Sequence, residues 1–362
     1  MDLSYSPEQQ DLRESLATFF SKESTPERVR AAEPTGFDSG LWRQVTTMGL
    51  PSMAVAEDLG GGGASMLDLV LAAEEFGRRI PPAPLIEATV SANLLGRLAS
   101  HGASEPAREL LAEAVAGDAL VSLALRPLRD GVARLAPAGA VADAVLALDG
   151  RELVAYRSHV SPRSPLEVPA NLGSSPIADR GAGLDERVVL ACGDLAADAY
   201  QRARVEWQLL MAAALLGLAQ TALEMGTDYV QQRRAFGVLI AWFQTVQHRL
   251  ADGVTDLEGA RLLTYEAAWS SDVGTANAAG LAAMAFLFTS EVAFRIAAES
   301  LHLHGGYGYT LEYDIQLYFR RAKAWPLALG DPKGGYQELA ARLFEARPSE
   351  TTPGTPAQGG EA

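Results

Sequence analysis

Apolar residues recur at helical spacing through the first third of the chain. Leu12, Leu16, Phe19 and Phe20 share one helical face, behind a start in which Ser6 and Gln9 have capping-box spacing and Pro7 suits the first helical position. Leu41, Val45 and Met48 mark a second helix, and Gly49 supplies the left-handed stop after it. Glu57 to Gly63 is a glycine-rich turn, followed by a helix from near Ser65 to near Gly77 with Leu67, Val70 and Leu71 inward. From Glu87 to Ala116 the chain is alanine- and leucine-rich at the same spacing. Residues 1–117 are expected to form a helical domain.

Between Ala119 and Gly193 the texture changes to short apolar runs, Leu120 to Leu125, Val145 to Leu148 and Val188 to Ala191, separated by Gly, Pro and Asp. Residues 118–200 are therefore expected to form a short middle β domain. Helical texture returns at Ala203, and Leu209 to Ala222 is apolar on nearly every face, the mark of a buried central helix. Two long helices follow. One carries Phe243, Val246, Leu250, Val254 and Leu257 on a stripe, the other Leu281, Met284, Phe288, Val292 and Ile296, so residues 201–346 are expected to pack as an antiparallel bundle. Residues 347–362 are rich in Pro, Gly, Ser and Thr without apolar periodicity and are expected to be a disordered tail. The fold class predicted is mainly α with a small β domain.

Composition narrows the functional classes. The 362 residues, 48% hydrophobic and 21% charged, suffice for two or three packed domains. One cysteine, Cys192, allows no internal disulfide and no thiol cluster for zinc or iron, which fits a reducing cytoplasm. The start, with Asp2, lacks the basic region of a signal segment, and no apolar run is expected to reach membrane-spanning length. A net charge of −15 with no basic stripe makes nucleic acid an unexpected partner.

Three segments of the last domain stand out from a plain bundle. Arg233-Arg234-Ala235-Phe236-Gly237 closes the central helix; its two guanidiniums either neutralise the helix end or grip a pyrophosphate. Phe243-Gln244-Thr245-Val246-Gln247-His248-Arg249-Leu250-Ala251-Asp252 opens the next helix. Leu303-His304-Gly305-Gly306-Tyr307-Gly308-Tyr309-Thr310 is a glycine-rich bend after a helix, where backbone is open to a ligand's phosphates; following no strand, it is not a Rossmann fingerprint. His302 and His304 lack a carboxylate or cysteine partner in sequence, so no metal site is expected there.

In this order the three segments resemble the acyl-CoA dehydrogenase family, whose motifs run R-x-x-F-G, F-Q-x-x-Q-x-x-L-A-D and G-G-x-G-Y-T-x-E. The resemblance extends to the N-terminal domain through Leu41-Trp42, Met48-Gly49-Leu50, Glu57-Asp58-Leu59-Gly60-Gly61 and Glu74-Glu75-Phe76-Gly77-Arg78. It implies a helical domain, a β domain and a four-helix bundle, assembled as a tetramer with each FAD at an interface. It implies α,β-dehydrogenation of an acyl-CoA thioester, a carboxylate taking the α-proton and electrons passing to an electron-transfer flavoprotein. Carried over residue by residue, the contacts to the ADP half of a neighbour's FAD are Arg233, Phe236, Gln244, Gly305 and Gly306. His302 stands where the family usually has glutamine, and still offers one hydrogen bond.

The pattern breaks at the catalytic base. Counting from Arg320-Arg321-Ala322-Lys323 puts Leu329 in one family base position, and aligning Gly217-Leu218-Ala219-Gln220 puts Trp207 in the other. Neither accepts a proton. Glu206 is adjacent, but one residue along a helix turns a side chain by about 100° and advances it about 1.5 Å, so it faces elsewhere unless the register shifts. Asp331 is two residues beyond the Leu329 position. The T-x-P-x-x-G-S-D-like run that holds flavin in the family is not found; Ser174-Ser175-Pro176 and Arg126-Pro127 are its poor counterparts.

Neighbour-type FAD contacts without a base are what the base-less chain of a heteromeric enzyme would keep. The expectation is therefore one subunit of an α2β2 acyl-CoA dehydrogenase, resembling actinobacterial enzymes that act on steroid side-chain CoA thioesters and paired with a homologous subunit. The alternatives are a self-sufficient homotetramer using Glu206 as base, and a flavin-free interaction scaffold of the same fold.

Overall fold

The computed structural model describes residues 5–102, 104–158 and 168–344. Six helices form the N-terminal domain: α1 (Pro7–Glu23), α2 (Pro26–Ala32), α3 (Ser39–Thr47), α4 (Met66–Arg79), α5 (Leu85–Ser100) and α6 (Glu105–Ala116). The capping box of α1 forms as its spacing predicts, with the Ser6 hydroxyl accepting from the Gln9 N–H and the Gln9 side chain accepting from the Ser6 N–H. A second box, Ser65 with Asp68, opens α4, and Gln9 donates to Asp68 at 3.0 Å, so the two helix starts hold each other. The short α2 has no long apolar stripe to announce it; Thr25 caps it and Pro26 occupies its first turn.

The middle layer is a four-stranded sheet in the order β1 (Val121–Leu123), β3 (Ala144–Asp149), β4 (Glu152–Arg157), β6 (Glu186–Cys192), beside the pair β2 (Val132–Ala136) and β5 (Ala178–Gly181). The β3–β4 hairpin pairs Ala144 with Arg157 through to Asp149 with Glu152. Arg180, 1% exposed, is the centrepiece: it donates to the carbonyls of Gly139, Ala142 and Tyr156 and pairs with Asp185 at 3.0 Å. Apolar runs announce β1, β3 and β6. They do not announce β2 and β5, which are short and polar in part.

The last layer is built on α7 (Gly193–Gln232), which starts inside the segment whose composition resembles the β domain. Then come the hairpin β7 (Arg234–Ala235) and β8 (Val238–Leu239), α8 (Gln244–Val273), α9 (Ala278–Leu303), α10 (Ile315–Ala324) and α11 (Pro332–Phe344). Helix α7 is buried nearly all round because α4, α5, α8 and α9 surround it. Where it crosses α4, a Cβ on Gly77 would lie 1.8 Å from the Ala214 carbonyl oxygen, and one on Gly217 would lie 1.9 Å from that of Glu74. Backbone touches backbone there, which only glycine permits.

Two stripe residues depart from the pattern. Val254 is 51% exposed because Gly253 instead faces Leu223 and Ile296 at the α7–α8–α9 crossing, and Phe288 is 37% exposed at the edge of α9. Contrary to the sequence-based expectation, two helices among the described residues, α7 and α9, are long and apolar enough to cross a membrane; 83% and 61% of their most apolar windows are buried inside the protein. Residues 347–362, the expected tail, lie outside the described residues.

Candidate functional site

The first locus is the end of the bundle where α7 stops. Arg234 pairs with Leu239 and Ala235 with Val238, leaving Phe236 and Gly237 as a two-residue turn at φ 53° and 82°. Positive φ at both central residues is the hairpin turn that matches strand twist. For a phenylalanine the left-handed region costs about 1–2 kcal/mol. Phe236 is also 96% exposed, so little contact within this chain offsets that cost.

The turn leans towards the other two motifs. The Phe236 ring lies 6.4 Å from that of Phe243, the residue before Gln244 and the start of α8, and the Arg233 guanidinium sits 5.9 Å from the ring of Tyr307, just after Gly305 and Gly306. Gly305 has φ 60°, whereas Gly306 has no such requirement, and a Cβ on either would meet nothing within 4 Å. Arg233, Phe236, Gln244, His302, Gly305 and Gly306 are all exposed. A guanidinium, an amide, a free aromatic face and bare backbone together fit a diphosphate carrying a planar base, approached from outside the chain. They fit the ADP end of a flavin nucleotide in that sense.

His304 serves the interior instead. It is buried, its Nδ1 lies 2.7 Å from the Ser300 carbonyl, it stacks on Tyr229 at 4.2 Å, and burial pulls its pKa below the usual histidine value. Among the described residues no three His, Cys, Asp or Glu side chains gather as a metal site.

The second locus is a cavity of about 290 Å³ where the three layers meet. Phe76, Ile86, Met211 and Trp325 give it apolar walls, and segments 135–138 and 171–177 of the β domain close one side. Trp207 faces it, fully buried, and donates its indole N–H to Glu87 Oε1 at 3.3 Å. Desolvation is the largest influence on Glu87 and raises its pKa above the usual carboxylate value; its own backbone N–H and the Trp207 bond oppose this only in part. No ion pair reaches Glu87 among the described residues. Sequence reasoning passed over it. Its signal was its isolation, as the single charged residue between Arg79 and Arg97.

Glu206 does not face this cavity. Its carboxylate accepts from Asn93 and from Arg97 Nη1 at 2.7 Å, both on α5, and lines a separate cavity of about 390 Å³ with His101 and Asp272. Leu329 follows the short turn Trp325–Ala328 and packs on the core. Asp331 is exposed and accepts from the Lys333 N–H at 3.0 Å at the start of α11. In the 171–175 segment, Asn171 bonds to the Ser175 backbone in both directions, and Ser174 donates to Glu33 at 2.8 Å.

Residues 6–118 match the family model for the acyl-CoA dehydrogenase N-terminal domain, and residues 203–333 match the model for the C-terminal domain. The chain is 31% identical to the acyl-CoA dehydrogenase IpdE2 of Mycolicibacterium smegmatis, over 94% of this chain and 100% of that one. Among solved structures, the ChsE4-ChsE5 complex from Mycobacterium tuberculosis superposes with a TM-score of 0.84 at 27% identity, over 96% of this chain and 100% of that one. The Tcur3481-Tcur3483 steroid ACAD, as its G363A variant, gives 0.82 at 26%, over 93% and 98%.

Proposed function

The chain belongs to the acyl-CoA dehydrogenase family, and on that premise we propose that it is the base-less subunit of a heteromeric, α2β2, FAD-dependent acyl-CoA dehydrogenase. The observation that carries this reading is an asymmetry. Arg233, Phe236, Gln244 and the Gly305-Gly306 bend form an exposed, outward-facing set, whereas Leu329 and Trp207 fill the two family base positions. A chain that completes a neighbour's cofactor site would keep the first and be free to lose the second.

In this reading a homologous subunit supplies the carboxylate, and Arg233 and Gln244 reach across the interface to the diphosphate half of its FAD. When bound, FAD supplies the two-electron acceptor for α,β-dehydrogenation, with an electron-transfer flavoprotein downstream. The substrate is an acyl-CoA thioester, and the similarity to the ChsE4-ChsE5 complex and to the Tcur3481-Tcur3483 steroid ACAD supports a steroid-derived acyl group. Self-sufficiency through Glu206 has less support, since Arg97 and Asn93 already engage its carboxylate away from the Trp207 cavity.

The test is to purify the chain with and without a co-expressed homologous subunit and follow dye reduction by acyl-CoA. Turnover is expected only from the pair, with one FAD for every two chains. Robust turnover by this chain alone sinks the proposal.

A further inference from the structure

We infer that Glu87 is a specificity residue, a carboxyl presented to the cavity between the three domains so as to hydrogen-bond a hydroxyl or carbonyl oxygen on the acyl group of a ligand. The inference rests on the family reading above and concerns this chain's own cavity, which would bind an oxygenated acyl group without itself supplying the base or the main flavin site.

The geometry comes first. Glu87 lies in the first turn of α5 and lines the cavity beside Ile86, Phe76, Trp207, Met211 and Trp325. Trp207 is the one side-chain partner of its carboxyl among the described residues, through Oε1 at 3.3 Å. The cavity's two arginines are committed elsewhere: Arg321 to Glu33, and Arg126 to the Arg134 carbonyl at 3.0 Å. Desolvation without a neighbouring cation raises the carboxyl's pKa and so favours the protonated form, which both donates and accepts, whereas the carboxylate only accepts.

The consequence for ligands follows from desolvation. A purely hydrocarbon acyl chain filling this space would strip water from Glu87 and return no hydrogen bond, whereas a ligand oxygen at that depth would replace the water. A largely apolar cavity with a partly buried carboxyl on its wall therefore discriminates against the analogue lacking its partner. The cavity volume, about 290 Å³, lies at the small end of the range for organic ligands. Glu87 acts here by binding, and no bond to the substrate is made or broken through it.

The experiment uses the full chain with its co-purified subunit, and measures calorimetric affinity for octanoyl-CoA and for hydroxyoctanoyl-CoA isomers carrying the hydroxyl at successive carbons from 4 to 8. At least one isomer should bind about tenfold to a hundredfold more tightly than octanoyl-CoA. Glu87→Gln, which keeps a donor and an acceptor, should retain most of that preference; Glu87→Leu, checked by circular dichroism for native folding, should lose it. Equal affinity for every isomer, or a preference that survives in Glu87→Leu, overturns the inference. So does a Glu87→Gln enzyme that binds normally but has lost turnover, because Glu87 would then be the proton acceptor. Turnover by the isolated chain would refute the subunit reading but would leave the binding preference in place, so the two failures are distinguishable.

Discussion

The carboxylate of Glu206 lies 2.7 Å from Nη1 of Arg97, an ion pair that ties α7 to α5 on the side away from Trp207. Glu206 is 4% exposed and Arg97 30%, so removing the negative charge leaves a partly buried guanidinium unpaired. Glu206→Gln is expected to lower stability by about 2–3 kcal/mol in urea denaturation. Dye reduction by the assembled enzyme should be unchanged within a factor of two or so once the protein is folded, since losing a general base typically costs about 10²- to 10⁴-fold. A loss on that scale would favour the self-sufficient reading.

Phe236 gives an opposite trade. Asparagine tolerates the left-handed backbone that Phe236 adopts at φ 53°, so Phe236→Asn should stabilise the isolated chain by up to about 1 kcal/mol. The same change removes the exposed ring at the hairpin tip. Flavin retained by the co-purified pair, measured by absorbance after gel filtration, should fall although the melting temperature rises.

The glycines separate fold from function. Gly217→Ala would drive a methyl to 1.9 Å from the Glu74 carbonyl oxygen and force α4 and α7 apart, a loss of at least about 1–3 kcal/mol and lower soluble yield. Gly306→Ala meets nothing within 4 Å and should leave thermal melting unchanged while weakening flavin retention. Identical melting with identical flavin content would show that the bend touches no cofactor.

Acid sensitivity should centre on Glu33, which accepts from Arg320, Arg321 and Ser174 and so joins all three layers. Burial pushes its carboxyl up, but the guanidiniums beside it outweigh that and hold it below the ordinary glutamate value. Burial also lowers Arg321, the more enclosed partner, yet an arginine stays charged at neutral pH. A depressed carboxylate contributes stability above its unfolded value, and that contribution disappears as pH falls through the folded value. The fall should begin near pH 4.5 and continue below it. Glu33→Gln should flatten that part of the stability–pH curve and lower the plateau at pH 7.

The helical layers were legible because their signals are local. The Ser6–Gln9 box, the stop at Gly49 and the all-apolar run from Leu209 depend on neighbours within a few turns, whereas the hairpin at Arg233–Gly237, read only as a helix end, did not show itself. What each side chain faces was not local. Gly253 rather than Val254 meets the helix crossing because three helices converge there, and β2 and β5 exist because Arg180 and its distant carbonyl partners close a layer round them. Order along the chain was enough to bring out the family and to mark Leu329 and Trp207 as unable to take a proton. Only the folded chain could place Glu206 against Arg97 and Glu87 beneath Trp207, because a charge acquires its partner, and a carboxyl its desolvation, from segments more than a hundred residues away.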